Sequence, residues 1–170
     1  MTLGRLPEAQ LDRFLFKVLV PYPDEATLAE IARLTTGLTE PVPEPVVGGE
    51  AEVLEWLELT RGVLVADEVL AQAARLVAMT HPQHPEAPEA VRRYVRYGAS
   101  PRGLQALLLG AKARALAVGR LNVSYEDLAA VLRPALRHRV LLNFEGEAAG
   151  VDADTVLEEL AAVLEERAHA

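Results

Sequence analysis

The chain contains no cysteine, and lysine occurs only at positions 17 and 112. The absence of cysteine excludes disulfide bonds, zinc sites built on thiolates, and catalysis by a thiol. It fits a protein of a reducing compartment, and we expect a cytoplasmic location. Positive charge is therefore carried almost entirely by arginine.

Aromatic residues are also scarce, at 5% of the chain. The core must then consist mostly of leucine, valine and alanine, a composition that favours helices. No hydrophobic run approaches the roughly 18 residues of a membrane span. Residues 1–14 contain no apolar signal-peptide core. These absences predict a soluble protein with no membrane partner.

The charge balance is acidic, with a formal net charge of -8 and a pI near 5.0. A dedicated nucleic-acid-binding domain is usually basic, so we expect no nucleic-acid partner. Any site that binds an anion must therefore depend on a local concentration of positive charge. A length of 170 residues allows one ordinary domain or two small ones.

The first 37 residues predict a helix, a strand and a second helix. Residues 7–14 follow the helical pattern, and residues 14–23 form an apolar run closed by two prolines, typical of a buried strand. Asp24 is a predicted N-cap of a helix that ends near Thr36. This segment is too small to bury a sheet of its own, so we expect its apolar side chains (Leu15, Phe16, Val18 and Val20) to be partly exposed or covered by a second copy.

Everything after the proline- and glycine-rich residues 39–50 has a helical pattern. Helices are predicted at 50–61, at 67–80 with Asp67 as N-cap, and from Ser100-Pro101 to about residue 118. A capping box of Ser124 and Asp127 begins another helix, and Asp152 or Asp154 begins the last. The predicted fold is mainly α: a short α/β fragment (1–38), a linker (39–50) and a helical bundle (51–170).

Two stretches approach nucleotide-binding motifs without completing them. Gly98 and Gly103 have the spacing of a phosphate loop, but Leu104 and Gln105 stand where lysine and a hydroxyl residue are required. Residues 63–68 (VLVADE) look like a strand ending in magnesium-binding acids, yet a helix N-cap at position 67 explains the same letters. The 170 residues therefore hold no complete triphosphate site.

Four arginines are concentrated in one short stretch of this acidic chain. Residues 92–102 contain Arg92, Arg93, Arg96 and Arg102 and no acid. The first three are explained by a solvated face. Arg102 follows an N-cap serine and a first-position proline, where the helix dipole disfavours a cation by a few tenths to roughly 1 kcal/mol. An anion that offsets this cost, such as a phosphate at the helix start, is the natural explanation.

Two further basic sites leave alternatives open. Arg13, just before the predicted strand, could meet the phosphate of a neighbouring subunit or form a salt bridge with Asp12 or Glu8. Residues 133–139 (RPALRHR) are explained equally by a structural role, a partner-binding role or a solvated helix end. His81 and His84 are each followed by proline and lack supporting ligands, so we expect no metal site there.

These segments together resemble the MoxR-type AAA+ ATPases. The stretch LPEAQLDRFLFKVLVPYP is similar to the segment that follows the sensor-1 strand of that family. The stretches YGASPRG, LLLGAKARALAVGR and VSYEDLAAVLRPALRHRVLLN resemble its helical lid, and EGEAAGVDADTVLEEL resembles its ending. The resemblance covers nearly the whole chain, but the phosphate loop, the magnesium-binding acids and sensor 1 have no counterpart in it.

The resemblance implies a function. Arg13 is similar to the arginine finger that reaches a neighbouring subunit's ATP. Arg102 is similar to the sensor-2 arginine, which contacts the γ-phosphate of its own subunit's ATP from the lid, with Ser100 and Pro101 beside it at the nucleotide. ATP and Mg²⁺ are implied for a full-length protein, with none expected for this chain alone, which should not hydrolyse ATP. Implied partners are the AAA+ core, ring neighbours, and client proteins with von Willebrand factor A domains. The alternative is a non-catalytic helical adaptor that keeps the lid for protein binding.

Overall fold

The computed structural model describes residues 7–39 and 42–168, which form nine helices and two short strands. In chain order these elements are α1 (Glu8–Leu11), α2 (Glu25–Thr35), α3 (Glu50–Gly62), α4 (Asp67–Met79), α5 (Glu89–Tyr94), β1 (Val95–Tyr97), α6 (Pro101–Ala117), α7 (Tyr125–Leu136), β2 (Leu141–Leu142), α8 (Phe144–Ala148) and α9 (Ala153–Ala168). The predicted mainly helical fold class is confirmed. No helix among these residues is long and apolar enough to cross a membrane.

The described residues divide into two compact units. One unit is Val18–Leu57, with α2 and most of α3, and neither helix contains a buried residue. Asp24 caps α2 as predicted, since its carboxylate accepts the N–H of Thr27 at 2.8 Å. The other unit contains residues 7–17 and 58–168.

The strand predicted at residues 14–23 is wrong, because these residues have no regular secondary structure. A strand needs a neighbour to accept and donate its backbone hydrogen bonds, and apolar composition alone does not supply one. The predicted exposure is confirmed at Leu15, Val18 and Val20, which are 47%, 69% and 85% exposed. Phe16 is partly buried against the helical core.

The core lies between α4, α6, α7 and α9. Residues spaced three and four apart put one apolar face of each helix inward, as the sequence pattern predicts. The largest fully buried side chains are those of Leu76, Leu107, Leu128, Leu132, Leu136, Leu157, Leu160 and Leu164. Each fully buried leucine contributes about 1.5–3 kcal/mol through apolar burial. Aromatic rings add to this core from its margin, where Phe16, Tyr94 and Tyr125 are partly buried against it.

The start of α4 differs from the prediction, and one short pair of strands was not predicted. Asp67 is the first residue of α4 and not its N-cap, which is Ala66; an acid in the first turn is stabilised by the helix dipole instead. The antiparallel pair β1–β2 was not predicted because strands of three and two residues are too short to show periodicity. Asn143 anchors this pair by donating its backbone N–H to the carbonyl of Tyr94 at 2.8 Å.

Gly98 lies where the chain passes the end of α4 on its way to α6. A Cβ at this position would lie 2.6 Å from Thr80 Oγ1 and 2.7 Å from the Thr80 carbonyl carbon and oxygen. Thr80 cannot move aside, because its buried hydroxyl donates to Val77 O at 2.6 Å and accepts the N–H of Ala99 at 2.9 Å. The close approach therefore requires glycine.

We expect Gly98→Ala to lower the free energy of unfolding by about 2–3 kcal/mol, as overpacking against backbone does. The measurement is urea unfolding followed by circular dichroism. Gly62→Ala is the matched control, since no atom lies within 4 Å of its added Cβ. Equal stability of the two variants would contradict the prediction.

Candidate functional site

The start of α6 is built as the sequence predicts. Ser100 is the N-cap, with extended backbone angles (φ -71°, ψ 171°), and Pro101 is the first helical residue. The Ser100 hydroxyl accepts the backbone N–H of Arg102 at 3.2 Å. This cap fixes the first turn of α6 and projects the exposed side chain of Arg102 from it.

A cavity of about 300 Å³ brings the two predicted arginines together. Arg13 comes from the turn after α1, and Arg102 from the first turn of α6. The lining residues are Asp12, Arg13, Leu15, Arg102, Gln105, Ala106, Leu109 and Arg139. Ser100 and Pro101 do not line this cavity, and the assignment of these two residues to nucleotide binding stays a prediction.

The cavity carries an excess of positive charge. Among the side chains that the structure describes, neither Arg13 nor Arg102 forms a salt bridge. The alternative pairing of Arg13 with Asp12 is not formed, and the side chain of Glu8 lies outside the described part of the chain. The one acid in the lining, Asp12, is engaged by Arg139, whose Nε donates to Asp12 Oδ1 at 3.1 Å. An anion is the ligand that this arrangement favours.

Arg139 is the site residue that the sequence did not single out. Its side chain is only 2% exposed, and it donates to the carbonyls of Asp12 at 2.8 Å and Phe14 at 2.7 Å. Burial lowers the pKa of Arg139, and Asp12 opposes that shift. In the sequence, Arg139 is simply the last letter of a basic run. Its contacts join residues more than a hundred positions apart, so no local signal could reveal them.

The rest of residues 133–139 serves mainly the packing of α7. Arg137 pairs with Asp154 at 2.9 Å and donates to the carbonyl of Lys17 at 3.2 Å, while Arg133 pairs with Glu158 at 3.2 Å on the surface. The structural interpretation of this basic run therefore has direct support.

The other arginines of residues 92–102 are exposed, as the solvated-face interpretation predicts. Arg92 donates to the carbonyl of Ala87 at 2.8 Å, Arg93 pairs with Glu145 at 2.6 Å, and Arg96 lies over the ring of Tyr97. None of these three lines the cavity. Arg102 is thus set apart from these three arginines by its position in the cavity lining.

The side chains of the two loop histidines contact backbone groups. His81 Nε2 lies 3.0 Å from the carbonyl of Ala99, and His84 Nδ1 accepts the N–H of Glu86 at 3.2 Å. Across the described residues, no group of three or more histidines and acids could hold a metal ion.

His138, beside Arg139, is buried and predicts a pH dependence of stability. Burial lowers its pKa below the ordinary 6.5, against the opposing effect of the Phe14 carbonyl, and Arg139 adds to the lowering. Because the unfolded chain takes up this proton at higher pH than the folded chain, stability falls as pH drops below about 6.5. We expect the free energy of unfolding to decrease between pH 7 and pH 5, and His138→Gln to reduce this decrease. Urea unfolding at both pH values measures it, and identical pH slopes for the two proteins would contradict it.

Comparison with known proteins defines the class first. Residues 87–160 match the family model of the AAA lid domain. In three dimensions, the chain superposes with a TM-score of 0.82 on the crystal structure of a protein of Cytophaga hutchinsonii assigned as an ATPase; the match has 30% sequence identity and covers 92% of this chain and 48% of that one. The helical unit that carries Arg102 is therefore an AAA+ lid.

Similar sequences define the family more narrowly. The chain is 31% identical over 152 residues to Chaperone MoxR1 of Mycobacterium tuberculosis, which covers 89% of this chain and 40% of that protein. It is 32% identical over 159 residues to the uncharacterized protein YeaC of Bacillus subtilis, covering 91% and 46%, and 45% identical over 51 residues to Protein MoxR of Paracoccus denitrificans, covering 30% and 15%. The chain belongs to the MoxR family of AAA+ ATPases and represents its C-terminal part. It spans less than half the length of these curated relatives.

Proposed function

We propose that this chain is the lid portion of a MoxR-like AAA+ ATPase and that it supplies Arg102 as sensor 2 and Arg13 as arginine finger to ATP hydrolysis. The observation that carries the proposal is the shared cavity: two exposed arginines without a described counter-ion line one concave site. Guanidinium groups stabilise the charge that develops on a transferred phosphoryl group, and they need only to be positioned.

The cavity fits the phosphate end of a nucleotide better than a whole nucleotide. Its volume of about 300 Å³ is at the lower limit of ligand pockets. Its two arginines without a described counter-ion suit a polyphosphate, whereas no acid cluster among the described residues suits Mg²⁺. A phosphate loop and a magnesium site would be supplied by the AAA+ core, within the same protein or from a ring neighbour.

The shared cavity also indicates whether the two arginines contact the same ATP molecule or two different ones. The family resemblance divides them, with Arg13 on a neighbour's nucleotide and Arg102 on its own. Because both residues line one cavity, we favour contact of both with the phosphates of a single ATP. In a ring, that ATP would be bound by the adjacent subunit that Arg13 reaches.

The hydrolysis would drive remodelling or maturation of partner proteins, in keeping with the name of the mycobacterial relative, a chaperone. Proteins with von Willebrand factor A domains remain the predicted client class. Such work requires the lid to move with the state of the nucleotide, and an arginine on the lid that contacts phosphate provides that link.

The test is a fusion in which this chain replaces the aligned C-terminal part of a full-length MoxR-family ATPase. We expect the isolated chain to release no phosphate from Mg-ATP and the fusion to release it at a rate close to that of the parent ATPase. A folded, assembled fusion without activity would contradict the proposal and favour the non-catalytic adaptor.

A further inference from the structure

We propose that Asp12 and Arg139 are positioning residues that hold Arg13 and Arg102 in a fixed arrangement around the cavity. This inference rests on the proposed function, since it concerns the same two arginines. Neither residue offers an unpaired positive charge to a ligand, because Asp12 is an acid and Arg139 is already paired with it. Their proposed role is to position the two other arginines.

A continuous set of contacts connects the two arginines through Asp12. The Ser100 hydroxyl lies 3.0 and 2.9 Å from the two carboxylate oxygens of Asp12 and donates to them. The same hydroxyl oxygen accepts the backbone N–H of Arg102 at 3.2 Å. Arg13 follows Asp12 directly in the chain. One serine side chain and one carboxylate therefore link the backbone at Arg102 to the backbone at Arg13.

Arg139 secures the backbone on both sides of Arg13. Its Nη2 donates to the carbonyls of Asp12 at 2.8 Å and Phe14 at 2.7 Å, and its Nη1 donates to the carbonyl of Leu15 at 3.3 Å. Nη1 also donates to the carbonyl of Ala135 in α7, and Nε to the carboxylate of Asp12. The five N–H groups of the guanidinium thus face five oxygen contacts, and Nη1 also lies 2.8 Å from His138 Nε2. A lysine, with three donors on one nitrogen, cannot reproduce this planar arrangement.

These contacts matter because no regular helix or strand continues on the C-terminal side of Arg13 to hold its backbone. The preceding helix α1 has four residues, and residues 14–24 have no regular secondary structure. Besides Arg139, the segment is anchored by the N–H of Lys17, which donates to the carbonyl of Pro134 at 2.9 Å, and by Phe16 against the core. Arg137 also donates to the carbonyl of Lys17 at 3.2 Å, and His138 Nε2 lies 3.1 Å from the carbonyl of Phe14. Without the Asp12–Arg139 pair, we expect Arg13 to sample many positions relative to Arg102, whose backbone is fixed by the capped helix.

The first arm of the test measures this arrangement directly. Because the chain contains no cysteine, Gln10→Cys and Ala113→Cys introduce a unique pair of spin labels at exposed positions on α1 and α6, outside the cavity lining. We expect a narrow distance distribution in the otherwise unchanged chain and a clearly broader one in Asp12→Asn and Arg139→Lys. Arg133→Lys is the matched control, since Arg133 lies on α7 outside the cavity lining and pairs with Glu158 at the surface. An unchanged distribution in Asp12→Asn and Arg139→Lys would overturn the inference.

The second arm measures the catalytic consequence in the active fusion, at a temperature where each variant is fully folded. We expect kcat to fall on the order of 10–100-fold in Arg139→Lys, as for small misplacements of a catalytic group, with KM for Mg-ATP unchanged. Arg133→Lys should retain the parental kcat. A broader distance distribution with unchanged kcat would show a merely structural contact and overturn the inference. Retention of kcat by Arg13→Ala and Arg102→Ala would instead overturn the proposed function, while the spin-label arm still reports whether the pair holds the segment.

Discussion

Arg102→Ala and Arg13→Ala, each introduced into the active fusion, should lower kcat for ATP hydrolysis on the order of 10³-fold. This is the lower end of the effect of removing an arginine that stabilises phosphoryl transfer. KM for Mg-ATP should change much less, because nucleotide binding depends mainly on the phosphate loop of the AAA+ core. Steady-state phosphate release over a range of Mg-ATP concentrations separates the two parameters.

The same change at Arg102 should leave the fold intact and slightly more stable. The side chain is exposed, has no described salt bridge, and places a cation at the positive end of a helix dipole. Removing that cation is expected to gain a few tenths of a kcal/mol in the isolated chain. A loss of hydrolysis together with unchanged or raised stability is the signature of a functional side chain, and urea unfolding provides the second measurement.

Arg96→Ala is the control for this prediction. Arg96 belongs to the same arginine-rich stretch and is also exposed, but it lies over Tyr97 and outside the cavity. Its removal should leave kcat unaltered. A similar loss of activity in Arg96→Ala would mean that general positive charge, and not the cavity, is what hydrolysis requires. Arg102→Lys should recover only part of the activity, because an ammonium group lacks the bidentate geometry of guanidinium.

The largest effect on stability is expected at Asp127, which does not line the cavity. Its side chain is fully buried, and it accepts from Arg120 at 2.6 and 2.7 Å, from Arg114, and from the N–H of Ser124 at 2.9 Å. Asp127→Ala leaves two arginines without their partner and removes the capping box of α7. Because Arg114 and Arg120 are 38% and 33% exposed, water can partly solvate them. We therefore expect a loss of about 3 kcal/mol, at the lower end for breaking a buried ion pair.

Urea unfolding measures this loss, and Glu145→Gln is the matched control. Glu145 pairs with Arg93 on the surface, where both side chains are more than half exposed. An exposed pair contributes at most about 1 kcal/mol, so the control should be close to the unaltered protein. A loss in Asp127→Ala no larger than in Glu145→Gln would contradict the prediction.

The same carboxylate makes the fold sensitive to strong acid. Burial by itself would raise the pKa of Asp127, but the hydrogen bonds from Arg120, Ser124 and Arg114 outweigh it and lower the pKa from 3.8 to about 2. A carboxyl with a depressed pKa contributes stability above its unfolded pKa and loses it as pH falls through the folded value. About 2 kcal/mol should therefore disappear between pH 4 and pH 2, and this part of the acid dependence should be absent in Asp127→Ala.

Much of the helical part of this protein could be predicted from its sequence, because helix formation follows local rules. The caps at Asp24, Ser100 and Ser124 lie next to the groups that they satisfy, and the spacing of leucines already defines the buried face. The same locality made Arg102 conspicuous: a cation at a helix start conflicts with the dipole whatever the rest of the fold does. The resemblance to MoxR-type ATPases rested on such local stretches as well.

Only the tertiary structure determined those features that depend on residues far apart in the sequence. The apolar run at residues 14–23 has the composition of a strand, yet it forms none, because hydrogen-bonding neighbours are not encoded in a segment's own letters. Asp12 and Arg139 are 127 positions apart, and only the packing of the end of α7 beside residues 12–17 brings the two side chains together. The sequence by itself determined the helices and marked Arg13 and Arg102. Their meeting in one cavity, and the buried pair beside them, required the folded chain, since contacts between distant residues leave no periodic or local signal.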